Sequence, residues 1–347
     1  MRKFSLLALA VAGAALAGLL FTTPAAAQGT LNLDEAINST RLMLDGDSHN
    51  RDLRIRLVKL HFIEGARHLE RGNAQGAIGS LANGLRVAEA GQVSDSEEVI
   101  QFTNYALAHA TEDQARTQEV ISILDGLVAA APRFHLARYM LGYTLMRSSS
   151  NADFARGSEV MRQLWLDSSG GMRSQTSHAA ANLAYERAIA DSDSGRTGAA
   201  LDILQQVQSD YGNDPYNTGQ QNQNFHFALG TLMDQTGNSE GTVQEYEAVY
   251  NQNSNYSAGG LSIGDALANA SYRRALEHIT QGGVGAGQAA VALLDQVERI
   301  EGRPSVDVHH GRYLAYRMTG DMRSANAEVE AIRTLDRSYY DSLLRNI

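Results

Sequence analysis

The chain has 347 residues, no cysteine and a formal charge of −10. Without cysteine it can form no disulfide, thiolate metal site or Cys nucleophile, and its acidity makes it a poor partner for nucleic acid or an anionic membrane. Lysine occurs only at Lys3 and Lys59, which removes almost every lysine-based chemistry.

Residues 1–27 read as a cleaved signal peptide. Met1-Arg2-Lys3 is a positive start, residues 4–20 are almost wholly apolar, and Pro24-Ala25-Ala26-Ala27 supplies the small residues a signal peptidase accepts. A mature chain beginning at Gln28 is expected, in the periplasm or outside the cell. Losing Arg2 and Lys3 leaves 27 basic against 39 acidic side chains, a charge of −12. No later stretch approaches the ~20 apolar residues of a membrane helix, and strong strand alternation is missing, so stable membrane insertion is not expected.

Residues 28–52 form a lead-in. Asn32 can cap a helix with Asp34 and Glu35 in its first turn, as the helix dipole favours, and the polar run from Asp45 to Asn50 ends it. From residue 53 to 347 one pattern recurs: a helical stretch, a short Gly/Asn/Asp turn, then a second helical stretch with alanine near its start. The turns at Gly72-Asn73, Ser150-Asn151, Ser194-Gly195, Gly237-Asn238 and Gly320-Asp321, with weaker ones near Thr111 and Gly282, lie roughly 38 to 45 residues apart. Such spacing predicts stacked helical hairpins, each burying against the next the apolar face it would otherwise leave wet.

The predicted hairpins pair residues 53–71 with 74–90, 96–110 with 113–130, 134–147 with 152–166, and 175–190 with 197–210. Then follow 224–235 with 239–250, 262–281 with 286–300, and 304–318 with 322–336, with a short capping helix over 339–346. The fold class is all-α: an α-solenoid of about seven antiparallel hairpins, elongated and without sheet. Two loops, 212–223 and 251–260, are rich in Asn, Gln, Gly and Tyr and flank the fifth hairpin.

Several motifs invite chemistry and lack its context. Gly260-Leu261-Ser262-Ile263-Gly264 fits a nucleophile elbow, but the polar segment before it cannot be a core strand; Ser262 reads better as a helix N-cap. Gly282-Gly283-Val284-Gly285-Ala286-Gly287 has neither a preceding strand nor a following Gly-Lys-Ser/Thr, so it reads as an inter-helix loop. Asp191-Ser192-Asp193-Ser194-Gly195 places its glycine one position early for a calcium loop and lacks the bidentate Glu. Asp307, His309 and His310 could seed a metal site, yet adjacent residues point to different helix faces and the i, i+4 partner is missing. His61 and His68 stand seven apart on one helix and could sense pH. No catalytic, cofactor-binding or metal-ligating residue is therefore assigned.

The fifth hairpin resembles a tetratricopeptide (TPR) repeat. Leu229-Gly230, the Gly237-Asn238 turn and Tyr246 match that family, while Thr242 stands where alanine is usual. Gly65, Gly72-Asn73, Ala77 and Leu81 match in the first hairpin. Tyr316, Gly320-Asp321 and Ala325 match in the seventh, where Tyr313 replaces a small residue. Leu141-Gly142 and Gly195 with Ala200 are partial matches. The resemblance implies a surface that holds peptides or protein partners.

The expected binding surface centres on the fifth hairpin and its two flanking loops: it would carry Asn222, Asn224 and His226, with Tyr216 and Tyr256 offered by the loops. Amides supply donors and acceptors without the desolvation cost of a charge, and tyrosine rings can hold a peptide or a sugar. The expected function is an exported, non-catalytic adaptor for a protein or extended peptide in the bacterial cell envelope. The alternative is a glycan-binding envelope protein for polysaccharide export or wall maintenance. A helical hydrolase or lyase ranks third, because such enzymes use many aromatics and Trp165 is the single tryptophan.

Overall fold

The computed structural model describes residues 32–112, 114–212 and 219–344. The signal-peptide reading and Tyr216 lie outside the described residues. The chain divides after Leu183 into two compact units. The first holds α1 (Leu33–Gly46), α2 (Arg51–Glu70), α3 (Ala74–Ala90), α4 (Glu97–Ala110), α5 (Gln114–Ala130), α6 (His135–Arg147), α7 (Asn151–Asp167) and most of α8 (Gly170–Asp193). The second, from Ala184 onward, holds α9 (Thr197–Tyr211), α10 (Gly219–Gln235), α11 (Ser239–Gln252), α12 (Ile263–Gln281), α13 (Val284–Glu301), α14 (Val306–Thr319), α15 (Met322–Leu335) and α16 (Arg337–Leu344). The fold is all-α, built of antiparallel helical hairpins in which helices adjacent in sequence pack on one another.

In the first unit α1 opens on Asn32, whose side chain accepts from the Glu35 N–H as expected, and Leu33 and Ile37 bury against Leu57 and Leu60 of α2. The α2–α3 hairpin turns at Gly72 with φ +68, and Asn73 accepts from the Gly76 N–H at 2.9 Å. α6 spreads its apolar residues around most of its circumference, broken by Arg138, which pairs with Asp167 of α7, so it needs cover on most sides. Leu136, Ala137, Tyr139, Met140, Leu141 and Leu145 are indeed all buried, as are Met161 and Leu164 of α7.

The second unit repeats the device. Asn238 caps α11 through the Gly241 N–H at 3.0 Å, Ser262 caps α12 through the Asp265 N–H at 3.0 Å, and Asp321 caps α15 through the Ser324 N–H. One core gathers Val243, Tyr246 and Val249 of α11 with Ile263, Ala266, Leu267 and Ala270 of α12. A second joins α12, α13 and α14 through Ala275, Ala290, Leu294, Val297, Val308 and Ala315.

Two expectations need correction. The segment 251–260 is not an open loop leading into a sheet-free fold. Ser257–Ala258 and Leu261–Ser262 form a two-stranded antiparallel hairpin in which Ala258 pairs with Leu261, with Gly259 and Gly260 at positive φ in its turn. The other polar segment is shorter than predicted, because α10 already begins at Gly219 and takes Asn222 and Gln223 into the helix.

Candidate functional site

The fifth hairpin is α10 and α11. Its two helices approach closely because Gly230 has no side chain: a Cβ there would stand 2.7 Å from the Tyr246 ring. That ring cannot yield easily, since Phe227 packs beside it at 5.5 Å and its hydroxyl lies 3.1 Å from Thr231 Oγ1. The same spacing puts Gly65 against Leu81 in the first hairpin. The turn between α10 and α11 passes through Gly237 at φ +82, a conformation glycine adopts without cost.

The polar residues expected to form the site do gather at this hairpin. On α10, Asn222, Asn224 and His226 are all half-buried. Asn222 Oδ1 accepts from Gln252 Nε2 at 3.2 Å, and Gln223 Oε1 accepts from Asn253 Nδ2 at 3.3 Å, so an amide row ties the start of α10 to the end of α11. His226 Nδ1 lies 2.5 Å from Glu245 Oε2, while Glu245 Oε1 accepts from Gln208 Nε2 of α9. A carboxylate only accepts, so the histidine bond places a proton on Nδ1.

Tyr256 departs from the expectation that it is offered by a loop. Its side chain is only 6% exposed and belongs to the core that Tyr246 and Ile263 share. Its ring meets Phe227 at 5.4 Å, and its hydroxyl donates to Asn224 Oδ1 at 2.8 Å. Burial, with a smaller contribution from Tyr185, pushes its pKa up to about 12. The cause is the β-hairpin, which turns residue 256 inward where the sequence showed only a polar run. That brace leaves the two amide hydrogens of Asn224 without a partner among the described residues.

A recurring histidine escaped the sequence reading. His61, His226 and His309 each stand eleven residues ahead of a turn glycine, Gly72, Gly237 and Gly320. His309 Nδ1 lies 2.5 Å from Glu328 Oε2, nineteen residues on, as Glu245 is from His226. These two are latches between the helices of a hairpin. His309 was read as a metal candidate; counting back from each turn would have revealed the register. His61 instead meets Glu64 on its own helix at 3.3 Å, and burial holds its pKa below the ordinary value against the pull of Glu64. His68, its neighbour one heptad on, lies 3.2 Å from Asn73 in the turn.

The other motifs resolve into structure. Asp191, buried in the would-be calcium turn, pairs with Arg196 at 2.5 Å and Arg187 at 3.4 Å. Ser262 Oγ is occupied with Asp265. Gly282 and Gly283, at φ +80 and +94, link α12 to α13. Among the described residues no cluster of His, Cys, Asp and Glu could hold a metal ion, and no helix is long and apolar enough to cross a membrane.

No protein-family model matches the sequence, and no curated protein does. Among solved structures, a tetratricopeptide repeat protein from Parabacteroides merdae is 10% identical, covering 83% of this chain and 98% of its own, with a TM-score of 0.28. The human IFIT1 dimer with m7Gppp-AAAA is 9% identical over 87% of this chain and 73% of that one, with a TM-score of 0.25. The P58(IPK) TPR domain is 15% identical over 97% and 96%, with a TM-score of 0.24. The repeat architecture is therefore argued from the hairpins of this chain, from Gly230 against Tyr246 and Gly65 against Leu81.

Proposed function

We propose that the protein is an exported, non-catalytic adaptor that binds a protein or an extended peptide in the bacterial cell envelope through the first helix of its fifth hairpin. The observation that carries this is the half-buried amide row of α10, in which Asn224 keeps two unpartnered donors beside Asn222 and His226. An extended peptide presents carbonyls in just this density, and amides meet them without desolvating a charge. Tyr216 remains part of the proposed surface. Tyr256 supports it from behind, by holding Asn224 in place. The glycan alternative relied on tyrosine faces, and it is weakened by the burial of the Tyr256 ring.

Asn224→Asp tests the reading. It keeps the acceptor for the Tyr256 hydroxyl and removes both donors, so melting should stay put. On an array of extended peptides the variant should lose roughly fivefold to tenfold in affinity, the worth of one or two hydrogen bonds. Equal binding by the variant, or selection of oligosaccharides over peptides, would refute the reading. The envelope location is tested separately, by mass spectrometry of the N-terminus after expression; an intact Met1 or permanent membrane association counts against it.

A further inference from the structure

The C-terminal end of the second unit holds a cleft of about 290 Å³ between α14 and α16, lined by His310, Tyr313, Leu314, Arg317, Tyr339 and Leu343, with Ser342 at its edge. On α14, His310, Tyr313 and Arg317 follow at i, i+3 and i+7, a single helical stripe. On α16, Tyr339 and Leu343 share a face by the same rule. Their side chains form one chain of contacts, edge-on between Tyr339 and His310 and stacked between His310 and Tyr313. The Tyr339 hydroxyl lies 2.8 Å from His310 Nδ1, His310 stacks on Tyr313 with centroids 6.3 Å apart, and the Arg317 guanidinium covers Tyr313 at 5.6 Å.

Arg317 is the charged member of the cleft lining. Among the exposed arginines of this unit Arg196 pairs with Asp191, Arg273 with Asp234 and Arg333 with Glu330, whereas Arg299, Arg303, Arg323 and Arg337 form no ion pair with a carboxylate among the described residues. Arg317 is exposed as well, yet its one bond goes from Nη1 to the Tyr313 hydroxyl at 3.0 Å, and it meets no carboxylate among the described residues. Its remaining N–H groups keep the planar geometry that takes a carboxylate in two parallel bonds. Leu314 and Leu343 lie beside them, so the cleft offers one cation and one apolar wall.

We propose that this cleft is a second binding site, distinct from the α10 row, that takes a polypeptide segment presenting a carboxylate next to an apolar side chain. Charge complementarity selects the occupant: Arg317 is the cation of the cleft lining, it meets no carboxylate among the described residues, and Leu314 and Leu343 line the same cleft. A sugar acid fits less well, because the Tyr313 ring is only 4% exposed and offers a sugar no open face to stack on.

The test uses a fluorescein-labelled hexapeptide of alternating Glu and Leu, its counterpart with Gln for Glu, and fluorescence anisotropy on the full mature chain. The Glu peptide should bind at least tenfold tighter, and Arg317→Gln should erase that difference. Asn224→Asp should leave it intact, so the two sites fail independently. Arg317→Gln keeps a planar amide over Tyr313 and should not move the melting temperature. Leu343→Glu, which places a competing carboxylate in the cleft, reaches the same loss by a second route. Equal binding of the two peptides, a difference that survives Arg317→Gln, or tighter binding of an oligogalacturonate overturns the proposal. So does self-association of the chain that Arg317→Gln abolishes, because the occupant would then be a second copy.

Discussion

Tyr256 and Asn224 share one hydrogen bond that decides how the fifth hairpin must be probed. Removing the ring with Tyr256→Ala would open a cavity among Phe227, Tyr246 and Ile263, at a cost of about 3–5 kcal/mol, the usual range for a buried aromatic. Tyr256→Phe should cost only about 0.5–1.5 kcal/mol, the worth of the lost bond. Thermal melts of the pair check this, and equal losses would mean the ring contributes no packing. An alanine at either position therefore confounds folding with binding, whereas Asn224→Asp does not. His61 makes a second argument at this scale. Its folded pKa lies below its unfolded value of about 6.5, because burial disfavours the charged ring. Between those two values the unfolded chain binds the extra proton. The stability due to neutral His61 is thus full above pH 6.5 and is lost as pH falls through the folded value. His310, also depressed by burial, acts with the same sign. His61→Gln should flatten the decline of melting temperature between pH 7 and 5; curves that stay parallel to wild type would rule the residue out as a source.

The hairpins show which elements the sequence could reveal. Caps, turns and close contacts are local signals, so Asn32, Asn73, Asn238, Ser262 and Asp321 were readable as helix starts, and Gly72, Gly237 and Gly320 as helix ends. Gly230→Ala should destabilise by about 1–3 kcal/mol, because the added methyl meets a ring that Phe227 and Thr231 hold. Asn238→Ala should cost about 1 kcal/mol by leaving the Gly241 N–H uncapped. Urea titrations separate these, and a Gly230→Ala loss below the Asn238→Ala loss would mean the helices can move apart. The candidate site was only half legible. Asn224 and His226 were placed on the right helix by period alone, whereas Asn222, by the same reading in the loop before it, proves helical. The direction of Tyr256 depended on a two-residue strand pair, and strands that short carry no alternation to read. The His–Glu latches depend on positions nineteen apart on different helices, which a search for i, i+4 partners misses.

Across the whole molecule, charge separates the two proposed sites. The chain carries 29 basic and 39 acidic side chains, so its long-range field repels polyanions and should suppress binding to nucleic acid. A site built from neutral amides has little to lose when salt screens that field. The α10 row should therefore hold its ligand almost equally at low and high ionic strength. The Arg317 cleft works through an exposed cation and should weaken as salt rises, since exposed charge interactions are screened beyond about 10 Å at 0.1 M. Net repulsion acts in the opposite sense: salt relieves it, so an acidic peptide approaching the cleft recovers in encounter part of what it loses in contact. The contact term should win because the guanidinium would meet the carboxylate directly. Anisotropy titrations from 0.05 to 0.5 M salt, with extended neutral peptides and with the Glu–Leu peptide, are expected to give a flat line for the first and a falling one for the second. A falling line for the neutral peptides would mean that the adaptor surface is electrostatic and lies elsewhere than on α10.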